Sequence, residues 1–302
     1  MTAFFTLRWW FFCLCCLPLM VQADNLAPID LNSSKIELAK HLWYLEDKNQ
    51  QLSIQQIQQQ RQGWQLQPHE KPYFGYSASA FWLKVDINND SAQNIPKLLE
   101  ITYPLLDDVQ VFLVANQQIE QQFRLGDNFE FQQRIIPHRL LLVPLAFNAQ
   151  RHYSLYVRVA STSGLQVPLT LWEVHEFQGY DQTRQFELGI FYGSLLIMMA
   201  YNFFIWLSVR ERSYLFYVIF VMSFGLLLAS IDGFTFQYLW PTQVWWNNRA
   251  IVIILALTLF LSMAFSKNFL HTARYNPRLN KVLTVYMSLM AVVVAAGFYF
   301  PY

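Results

Sequence analysis

Apolar and polar positions divide this chain into two halves with different periodicities. Up to about residue 180, apolar residues occur in short runs that alternate with polar residues, most regularly at residues 153–159. After residue 187, the apolar residues form long continuous runs. Alternation with a period of two is typical of half-buried strands, whereas runs of about 20 apolar residues are typical of membrane-spanning helices. The pattern therefore predicts a β domain followed by a helical membrane region.

The first half, which we place at residues 24–180, contains several candidate strands. They end at turn residues, as the run at 81–87 does at Asn88-Asn89-Asp90. Two further candidates contain Pro144 and Pro168, which indicate an edge strand or a bend. About six to nine short strands over this length favour an all-β domain, either a jelly roll or a two-sheet sandwich.

A glutamine-rich stretch at residues 50–67 departs from the strand pattern. Ser53 and Gln56 have the spacing of a capping box, and this stretch also carries a partly apolar face formed by Leu52, Ile54 and Ile57. These features predict a short helix that crosses the sandwich. A polar loop is the alternative interpretation.

The second half, residues 187–302, contains four apolar segments. Each is close to the ~20 residues that cross a bilayer as a helix. The third segment is short unless Trp245 and Trp246 form its interfacial collar. The predicted spans of this α-helical transmembrane bundle run from about 188 to 209, 214 to 231, 250 to 265 and 282 to 300.

The N-terminus has the order of a secretory signal peptide, which we place at residues 1–23. Arg8 precedes an apolar run at 9–17, and residues 21–23 supply the small residues before a cleavage site. An uncleaved N-terminal anchor is the alternative. All the cysteines lie in this segment, namely Cys13, Cys15 and Cys16. The mature chain is therefore expected to lack disulfides, thiol nucleophiles and thiolate metal sites.

The composition narrows the class of protein. With 54% hydrophobic and only 14% charged residues, the chain differs from ordinary soluble domains, in which about a quarter of the residues are charged. Its 17% aromatic content excludes a disordered chain. A net charge of +1 gives no reason to expect a nucleic-acid partner.

The links between the predicted spans carry different charges. The first link is basic, with Arg210 and Arg212, and so is the third, with Lys267, Arg274, Arg278 and Lys281. The second link, residues 232–249, is rich in aromatic residues. Basic links stay in the cytoplasm, so we expect the β domain and the second link outside. Four crossings then return the C-terminus outside, which predicts either a fragment of a longer receptor or a chain that works with partner chains.

Several side chains in the β domain are suited to bind a small polar ligand, because they combine aromatic surfaces with hydrogen-bond donors. Arg134 and Arg158 are the first choice, since their guanidinium groups match carboxylates and pairs of hydroxyls. The alternative is an ion pair with an acid such as Asp107 or Glu173. The aromatic and histidine candidates are Trp82, Tyr103, His138 and Trp172. For Trp82 and Trp172, packing in the core between the sheets is the alternative.

Metal and cofactor sites are not expected. The histidines of the β domain lack the spacing of metal ligands, and no Gly-rich phosphate loop occurs. Asp107-Asp108 has oxygen ligands suited to calcium, and a solvated turn is the favoured alternative.

Two features of the membrane half suggest structural contacts rather than a catalytic or ligand-binding role. Asn202 lies in the first span, where its amide needs a polar partner, so we predict an interhelical hydrogen bond. Trp240, Trp245 and Trp246 in the second link are candidates for coupling the β domain to the helices. The alternative is that they belong to the aromatic belt at the membrane interface.

The order of several motifs resembles one family of bacterial receptors. The β half contains FGYSASAFWLKVDINN, YPLLDDVQVFLV, LGDNFEFQQRIIPHRLLLVPL and LYVRVASTSGLQVPLTLW, and the membrane half contains YGSLLIMMAYNFFIWLSVRERSYLFYVIFVMSFGL and FQYLWPTQVWWNNRA. From about residue 42 onwards, they are similar to the extracellular domain and first spans of seven-transmembrane receptors with diverse intracellular signalling modules (7TMR-DISM). The resemblance implies a jelly roll like carbohydrate-binding modules, seven helices and a cytoplasmic output such as a diguanylate cyclase or histidine kinase.

The resemblance and the predicted topology together indicate a signal-transduction receptor in the bacterial inner membrane. Its periplasmic domain would bind a small ligand, for which carbohydrate is one class, and the chain itself would carry no catalytic site. The expected partners are the lipid bilayer, a second copy of the chain and a cytoplasmic signalling module. The alternative function is a membrane-anchored scaffold that binds a partner protein or the cell wall. A membrane enzyme or transporter is disfavoured, because the spans hold only Asn202 and scattered hydroxyls.

Overall fold

The computed structural model describes residues 29–67 and 72–299, so the predicted signal peptide at residues 1–23 lies outside the described residues. Within them, the chain forms a β-sandwich followed by a bundle of long helices. The all-β sandwich and the helical membrane region predicted from the apolar pattern are both confirmed.

The sandwich consists of two antiparallel sheets. One sheet has four strands in the order β1-β10-β5-β8, and the other has six in the order β3-β2-β4-β9-β6-β7. The strands are β1 (Lys35–Glu37), β2 (Trp43–Asp47), β3 (Gln65–Leu66), β4 (Ala80–Asn89), β5 (Ile95–Ile101), β6 (Asp108–Ala115), β7 (Gln118–Leu125), β8 (Leu141–Phe147), β9 (Arg151–Ala160) and β10 (Leu169–Trp172).

The main core lies between the two sheets and follows from the alternation of each strand. In β4, Leu83, Val85 and Ile87 point into this core, while Trp82 points to the opposite face. In β5, Leu99 belongs to the same core. Burying one such aliphatic side chain stabilises the fold by about 1.5–3 kcal/mol, so this alternation fixes which face of each strand is inside.

The outer face of the six-stranded sheet is covered by helix α1 (Ile54–Gln59). Ser53 and Gln56 form the capping box, with the Ser53 Oγ accepting from the Gln56 N–H. Ile54 and Ile57 then pack on a second apolar cluster that contains Trp82. The helix predicted in the glutamine-rich stretch is confirmed, and the polar-loop alternative is not.

Four helices are long and apolar enough to cross a membrane, in agreement with the predicted number of spans. Two short helices lie in the second and third links between them. In chain order, the helices after the sandwich are α2 (Val174–Val209), α3 (Arg212–Ile231), α4 (Phe234–Tyr238), α5 (Val244–Phe269), α6 (Thr272–Tyr275) and α7 (Pro277–Tyr299).

The helices extend beyond the apolar runs from which the spans were predicted. Helix α2 begins at Val174, well before the predicted start near residue 188, and α5 begins at Val244 and so includes Trp245 and Trp246. Hydropathy marks the part of a helix that fits the bilayer, whereas its polar extensions are set by packing outside.

Within the bundle, α3 packs between α2 and α5, and α5 packs against α7. A hydrogen bond of 2.8 Å joins Ser223 Oγ of α3 to Thr258 Oγ1 of α5 in a buried position. Hydroxyl pairs of this kind hold helices together in a membrane, where no water competes for them.

Candidate ligand groove and sandwich–membrane junction

Strand β10 continues almost directly into helix α2, because only Glu173 separates Trp172 from Val174. The first turns of α2 therefore lie across the outer face of the four-stranded sheet. Phe177 of α2 is buried in a cluster with Trp172, and its ring meets the Trp172 ring edge to face at 6.0 Å. The polar start of α2 is thus held by the sandwich rather than by the membrane.

The register of the four-stranded sheet places polar and aromatic side chains in two rows on this outer face. Lys35, Trp172 and Leu98 are directly opposite one another, and so are Glu37, Thr170 and Glu100 in the next row. Residues opposite each other in a sheet share a face, so the two rows form one surface.

A cavity of about 420 Å³ lies on this surface beside the start of α2, and we call it the Trp172 groove. Its aromatic wall is the pair Trp172 and Tyr180, whose rings stack with centroids 4.9 Å apart. The polar lining side chains are Lys35, Glu37, Glu100, Thr102, Tyr103, Gln166 and Thr170.

Glu100 is the most deeply buried charged residue of the groove, at 3% exposed. Its Oε2 accepts a hydrogen bond of 2.7 Å from the Trp172 indole Nε1. Burial raises the pKa of the Glu100 carboxyl, although this hydrogen bond and the positive charges of Arg139 and Lys35 oppose the effect. The groove therefore contains a carboxylate whose negative charge is incompletely compensated.

A second polar cluster fixes α2 to the loop before β8. His138 Nε2 lies 3.2 Å from the Asp181 Oδ1 of α2, and Arg139 Nη2 lies 4.0 Å from the same oxygen. Burial lowers the pKa of the His138 imidazole, while the Asp181 carboxylate acts in the opposite direction. Asp181 also accepts a hydrogen bond from Gln185, one turn further along α2.

The sandwich also contacts the outer loop, residues 232–243, which links α3 to α5 and contains α4. Gly233 approaches the sandwich so closely that a Cβ at this position would lie 2.8 Å from the Arg139 carbonyl oxygen. Its φ of +82° is strained for other residues. Phe236 meets Phe131 edge to face at 5.9 Å, and the Arg134 guanidinium lies over both rings, at 4.8 Å from Phe131 and 5.6 Å from Phe236.

Hydrogen bonds complete this contact, which we call the loop junction. The Phe131 N–H donates to the Pro241 carbonyl at 2.9 Å. At the start of α5, the Asn247 Nδ2 lies 3.5 Å from the Asp127 Oδ2, and the Asn248 amide donates to Asn128. The sandwich is thus attached to the membrane helices at two places, through α2 and through the loop junction.

Asp127 has an unusual environment in this junction. It is 6% exposed, and its Oδ1 has no hydrogen-bond partner among the described residues. Burial, and then the nearby Asp107 carboxylate, raise the pKa of Asp127 to about 7, an effect that the Arg134 charge opposes. Burial in turn lowers the pKa of Arg134 to about 10.

The structure distributes the predicted ligand-binding residues over three places. Trp172 and Tyr103 line the Trp172 groove, whereas Arg134 and His138 lie at the contacts between the sandwich and the helices. In that second place, the Arg134 Nη1 donates to the His138 carbonyl at 2.7 Å.

Trp82 and Arg158 lie apart from both, on the outer face of the six-stranded sheet. Trp82 is 1% exposed beneath α1 and stacks on Phe112 at 5.9 Å, so no face of its ring is open. Arg158 is buried, and its Nη1 lies 3.4 Å from the Asp108 Oδ2. The ion pair considered from the sequence is therefore made with Asp108 rather than with Asp107 or Glu173.

Asp107 instead stabilises the turn that follows β9. Its carboxylate accepts hydrogen bonds from the Ser161 hydroxyl at 2.8 Å and from the Thr162 N–H at 3.0 Å. Among the described residues, no group of three or more His, Cys, Asp or Glu side chains is arranged to hold a metal ion.

The three tryptophans predicted to couple the two halves, Trp240, Trp245 and Trp246, lie next to the loop junction in the chain. Trp240 donates to the Asn247 Oδ1 at 3.1 Å and meets Trp246 edge to face at 5.9 Å. Trp245 is 55% exposed, with the Arg249 guanidinium 4.6 Å from its ring. Contacts with the sandwich are made by residues near them in the chain, namely Gly233, Phe234, Phe236, Pro241, Asn247 and Asn248.

Asn202 donates a hydrogen bond of 2.9 Å to the Met198 carbonyl of its own helix. In the described part of the chain, the side-chain hydrogen bonds between long helices are instead the Ser223–Thr258 pair and a bond of 2.7 Å from the Lys267 Nζ of α5 to the Thr284 Oγ1 of α7. An interhelical contact of Asn202 stays a prediction.

The sequence interpretation missed Lys35, Glu100, Tyr180, Asp127 and Asp181. Glu100 had a usable signal, because a single acid stands among the apolar residues of β5. Tyr180 and Asp181 had none, since their importance depends on α2 extending back over the sandwich.

Comparison with protein families assigns both halves of the chain. The family model described as 7TMR-DISM extracellular 2 matches residues 39–173, which correspond to most of the sandwich. The model described as 7TM diverse intracellular signalling matches residues 184–302, which contain the long helices. No curated protein matches the chain. With both family models matching in order, the chain belongs to the seven-transmembrane receptors with diverse intracellular signalling modules, as a multi-pass membrane protein with an extracellular sensor domain.

Proposed function

We propose that the sandwich binds an extracytoplasmic ligand in the Trp172 groove and transmits its occupancy to the helices through α2. In this proposal, residues 24–180 are the periplasmic sensor domain and residues 187–302 lie in a bacterial inner membrane, after removal of the signal peptide at 1–23. A cytoplasmic output module of the full-length receptor receives the signal. The role of this chain is sensory, and we assign it no catalysis.

The observation that carries the proposal is that Tyr180 belongs both to the groove and to the first membrane helix. Helix α2 has 36 residues, and at 1.5 Å per residue it is about 54 Å long. A ligand that contacts Tyr180 therefore contacts the same rigid element that reaches Val209.

The loop junction attaches the sandwich to the helices at a second place. A movement of α2 relative to the sandwich is therefore also a movement relative to the helices next to the loop junction. If occupancy of the groove moves α2 while Phe236 stays against Phe131, the first span shifts relative to α3 and α5. Such a shift requires a ligand that binds the two arrangements with different affinity, and a tenfold difference corresponds to about 1.4 kcal/mol.

The lining of the groove suits a small polar ligand. Trp172 and Tyr180 offer an aromatic wall, and Tyr103, Gln166 and Thr170 offer hydrogen-bonding groups. Carbohydrate is one class with these requirements. Of the residues predicted to bind the ligand, Trp172 keeps that role in the proposal, while Arg134 and His138 become coupling residues.

The test uses a covalent occupant of the groove in the mature chain in lipid nanodiscs, which after removal of residues 1–23 carries no native cysteine. Lys35→Cys is labelled with a bulky aromatic maleimide, and Gln122→Cys on the opposite sheet carries the same label as the matched control. Hydrogen exchange is then measured by mass spectrometry for peptides that cover residues 174–187, 204–216 and 232–248.

We expect the groove label, and not the control label, to change exchange both in the outer loop and at the end of α2. A change confined to the peptides around the groove would contradict the receptor proposal. That outcome would favour a scaffold in which binding to the sandwich has no consequence across the membrane.

A further inference from the structure

The chemistry of the Trp172 groove indicates a class of ligand, an inference that rests on the proposed function of this groove as the ligand site. Its walls are formed by the aromatic pair of Trp172 and Tyr180 and by the polar row that contains Glu100 and Thr170. The class of ligand follows from which of these groups already has a partner.

Glu100 has an unfilled hydrogen-bonding capacity. Its side chain accepts one hydrogen bond, from Trp172 Nε1 to Oε2, and no hydrogen bond reaches its Oε1 from the described residues. Because the residue is 97% buried, water compensates its charge poorly. A group that enters the groove with a positive charge and an N–H donor would supply both the missing bond and the missing charge.

The aromatic wall already holds a cation. The Lys35 ammonium lies over the Trp172 ring, with Nζ 5.3 Å from the ring centroid. An ammonium above the face of a tryptophan is attracted by the ring quadrupole. The chain's own side chain thus demonstrates that a primary ammonium fits this face of the groove.

Lys35 is also loosely held and can leave this position. Its side chain is 44% exposed, it forms an ion pair of 2.6 Å with the exposed Glu37, and it belongs to a strand of three residues at the edge of the sheet. Exposed ion pairs contribute little to stability, so a competing ammonium would displace it readily.

The other charges around Glu100 do not remove the preference for a cation. Arg139 and Lys35 act on it as positive charges and Asp181 as a negative one. Arg139 is buried beside Asp181 and close to the ring of Phe234, away from the groove lining. Once Lys35 moves aside, Glu37 and Glu100 are the charged side chains that line the groove.

We propose that the Trp172 groove binds a ligand with a protonated primary amine, which lies against Trp172 and donates to Glu100 in place of the Lys35 ammonium. A neutral polyhydroxyl ligand would use Thr170, Gln166 and Tyr103 without need of the charge of Glu100. The two classes therefore differ in their dependence on this carboxylate.

The experiment compares n-butylammonium with its neutral isostere 1-butanol and with glucose, using ligand-detected NMR titration of the full chain in nanodiscs and empty nanodiscs as the blank. We expect binding of n-butylammonium at least about tenfold tighter than that of 1-butanol, in line with a charge-assisted hydrogen bond. Glu100→Gln is expected to remove this difference, whereas Glu120→Gln, a matched substitution on the other sheet, leaves it unchanged.

Lys35→Met provides a second variant that does not touch the buried carboxylate. Because it removes the competing ammonium from the Trp172 face, n-butylammonium should bind a few-fold more tightly than to the unaltered chain. This variant keeps the test decisive if Glu100→Gln fails to fold.

Equal affinity for n-butylammonium and 1-butanol, tighter binding of glucose, or weaker binding after Lys35→Met would each overturn the amine proposal. None of these outcomes decides the receptor proposal, which is judged by hydrogen exchange with a covalent label in the groove. The two proposals can therefore fail separately.

Discussion

The ring of Tyr180 stacks on the ring of Trp172, with the two ring centroids 4.9 Å apart and an interplanar angle of 24°. Tyr180 lies at the end of the second turn of α2, and Trp172 is the last residue of β10. This pair joins the sheet that forms the groove to the helix that enters the membrane. It also explains why a polar segment before the first apolar run is helical, since the segment is packed against an aromatic surface.

Substituting Tyr180→Ala is expected to loosen the start of α2. The stacked pair contributes about 0.5–1.5 kcal/mol beyond the burial of its surface. Hydrogen exchange of residues 174–187 should therefore become roughly 2- to 10-fold faster at constant pH. Tyr76→Ala is the matched control, because Tyr76 is 81% exposed. Similar exchange in both variants would argue against an anchoring role of Tyr180.

Substituting Gly233→Ala is expected to separate the outer loop from the sandwich. The new Cβ would lie 2.8 Å from the Arg139 carbonyl oxygen, and alanine is strained at a φ of +82°. We expect a loss of about 1–3 kcal/mol at this contact. The measurement is the fraction of oxidative cross-linking between Asn128→Cys and Asn248→Cys in the mature chain, which has no native cysteine after removal of residues 1–23.

The control for this substitution is Gly189→Ala in α2, where nothing lies within 4 Å of the added Cβ. Cross-linking should stay at the level of the parent chain in this control and fall several-fold in Gly233→Ala. If Gly233→Ala cross-links as efficiently as the control, the close approach at Arg139 does not hold the loop.

The loop junction is expected to weaken as the pH rises. Asp127 has a pKa of about 7 in the folded chain and 3.8 as its ordinary value. A raised pKa means that its contribution to stability is fully present below about pH 4 and is lost as the pH rises through 7. Between pH 5 and 8 we expect a loss of roughly 1–3 kcal/mol, measured by thermal unfolding or by the same cross-link.

Asp127→Asn should remove most of this pH dependence, whereas Asp90→Asn, in an exposed turn, should leave it intact. A residual slope of the same sign is expected from Glu100, because burial raises the pKa of its carboxyl as well. An unchanged slope in Asp127→Asn would assign the pH dependence to another group.

The orientation of the helices gives a further prediction. The sandwich contacts the outer loop, while α2 carries the chain to the basic link at Arg210–Arg212, at the other end of the bundle. An alkaline phosphatase fused after Arg212 should therefore be inactive, and one fused after Thr242 should be active, because basic links remain in the cytoplasm. High activity of the first fusion would contradict the assigned topology and with it the sensory role.

Much of the architecture could be predicted from local patterns. Alternation along β4 and β9 predicted strands with one face in the core, and the capping box at Ser53 and Gln56 predicted α1. The four long apolar runs predicted four membrane helices. These signals are readable because each depends on neighbouring residues in the chain.

The candidate site could not be predicted in the same way. Lys35, Glu100, Trp172 and Tyr180 come from distant segments, and only the register of β1, β10 and β5 and the packing of α2 bring them together. The acid that pairs with Arg158 could not be predicted from the sequence either. Asp107 and Asp108 are adjacent in the sequence, but only Asp108, the first residue of β6, lies beside Arg158, because Asp107 precedes the strand and its carboxylate is bound by Ser161 and Thr162.

Helix α2 has no proline between Val174 and Val209, so it can tilt as one stiff element about the point where Phe177 and Tyr180 pack on the sheet. From Tyr180 to Val209 the helix is about 44 Å long, so a tilt of about 5° at that point displaces its far end by about 4 Å. A rearrangement too small to alter the fold of the sandwich would thus become a displacement of several ångströms at the far end of the first span.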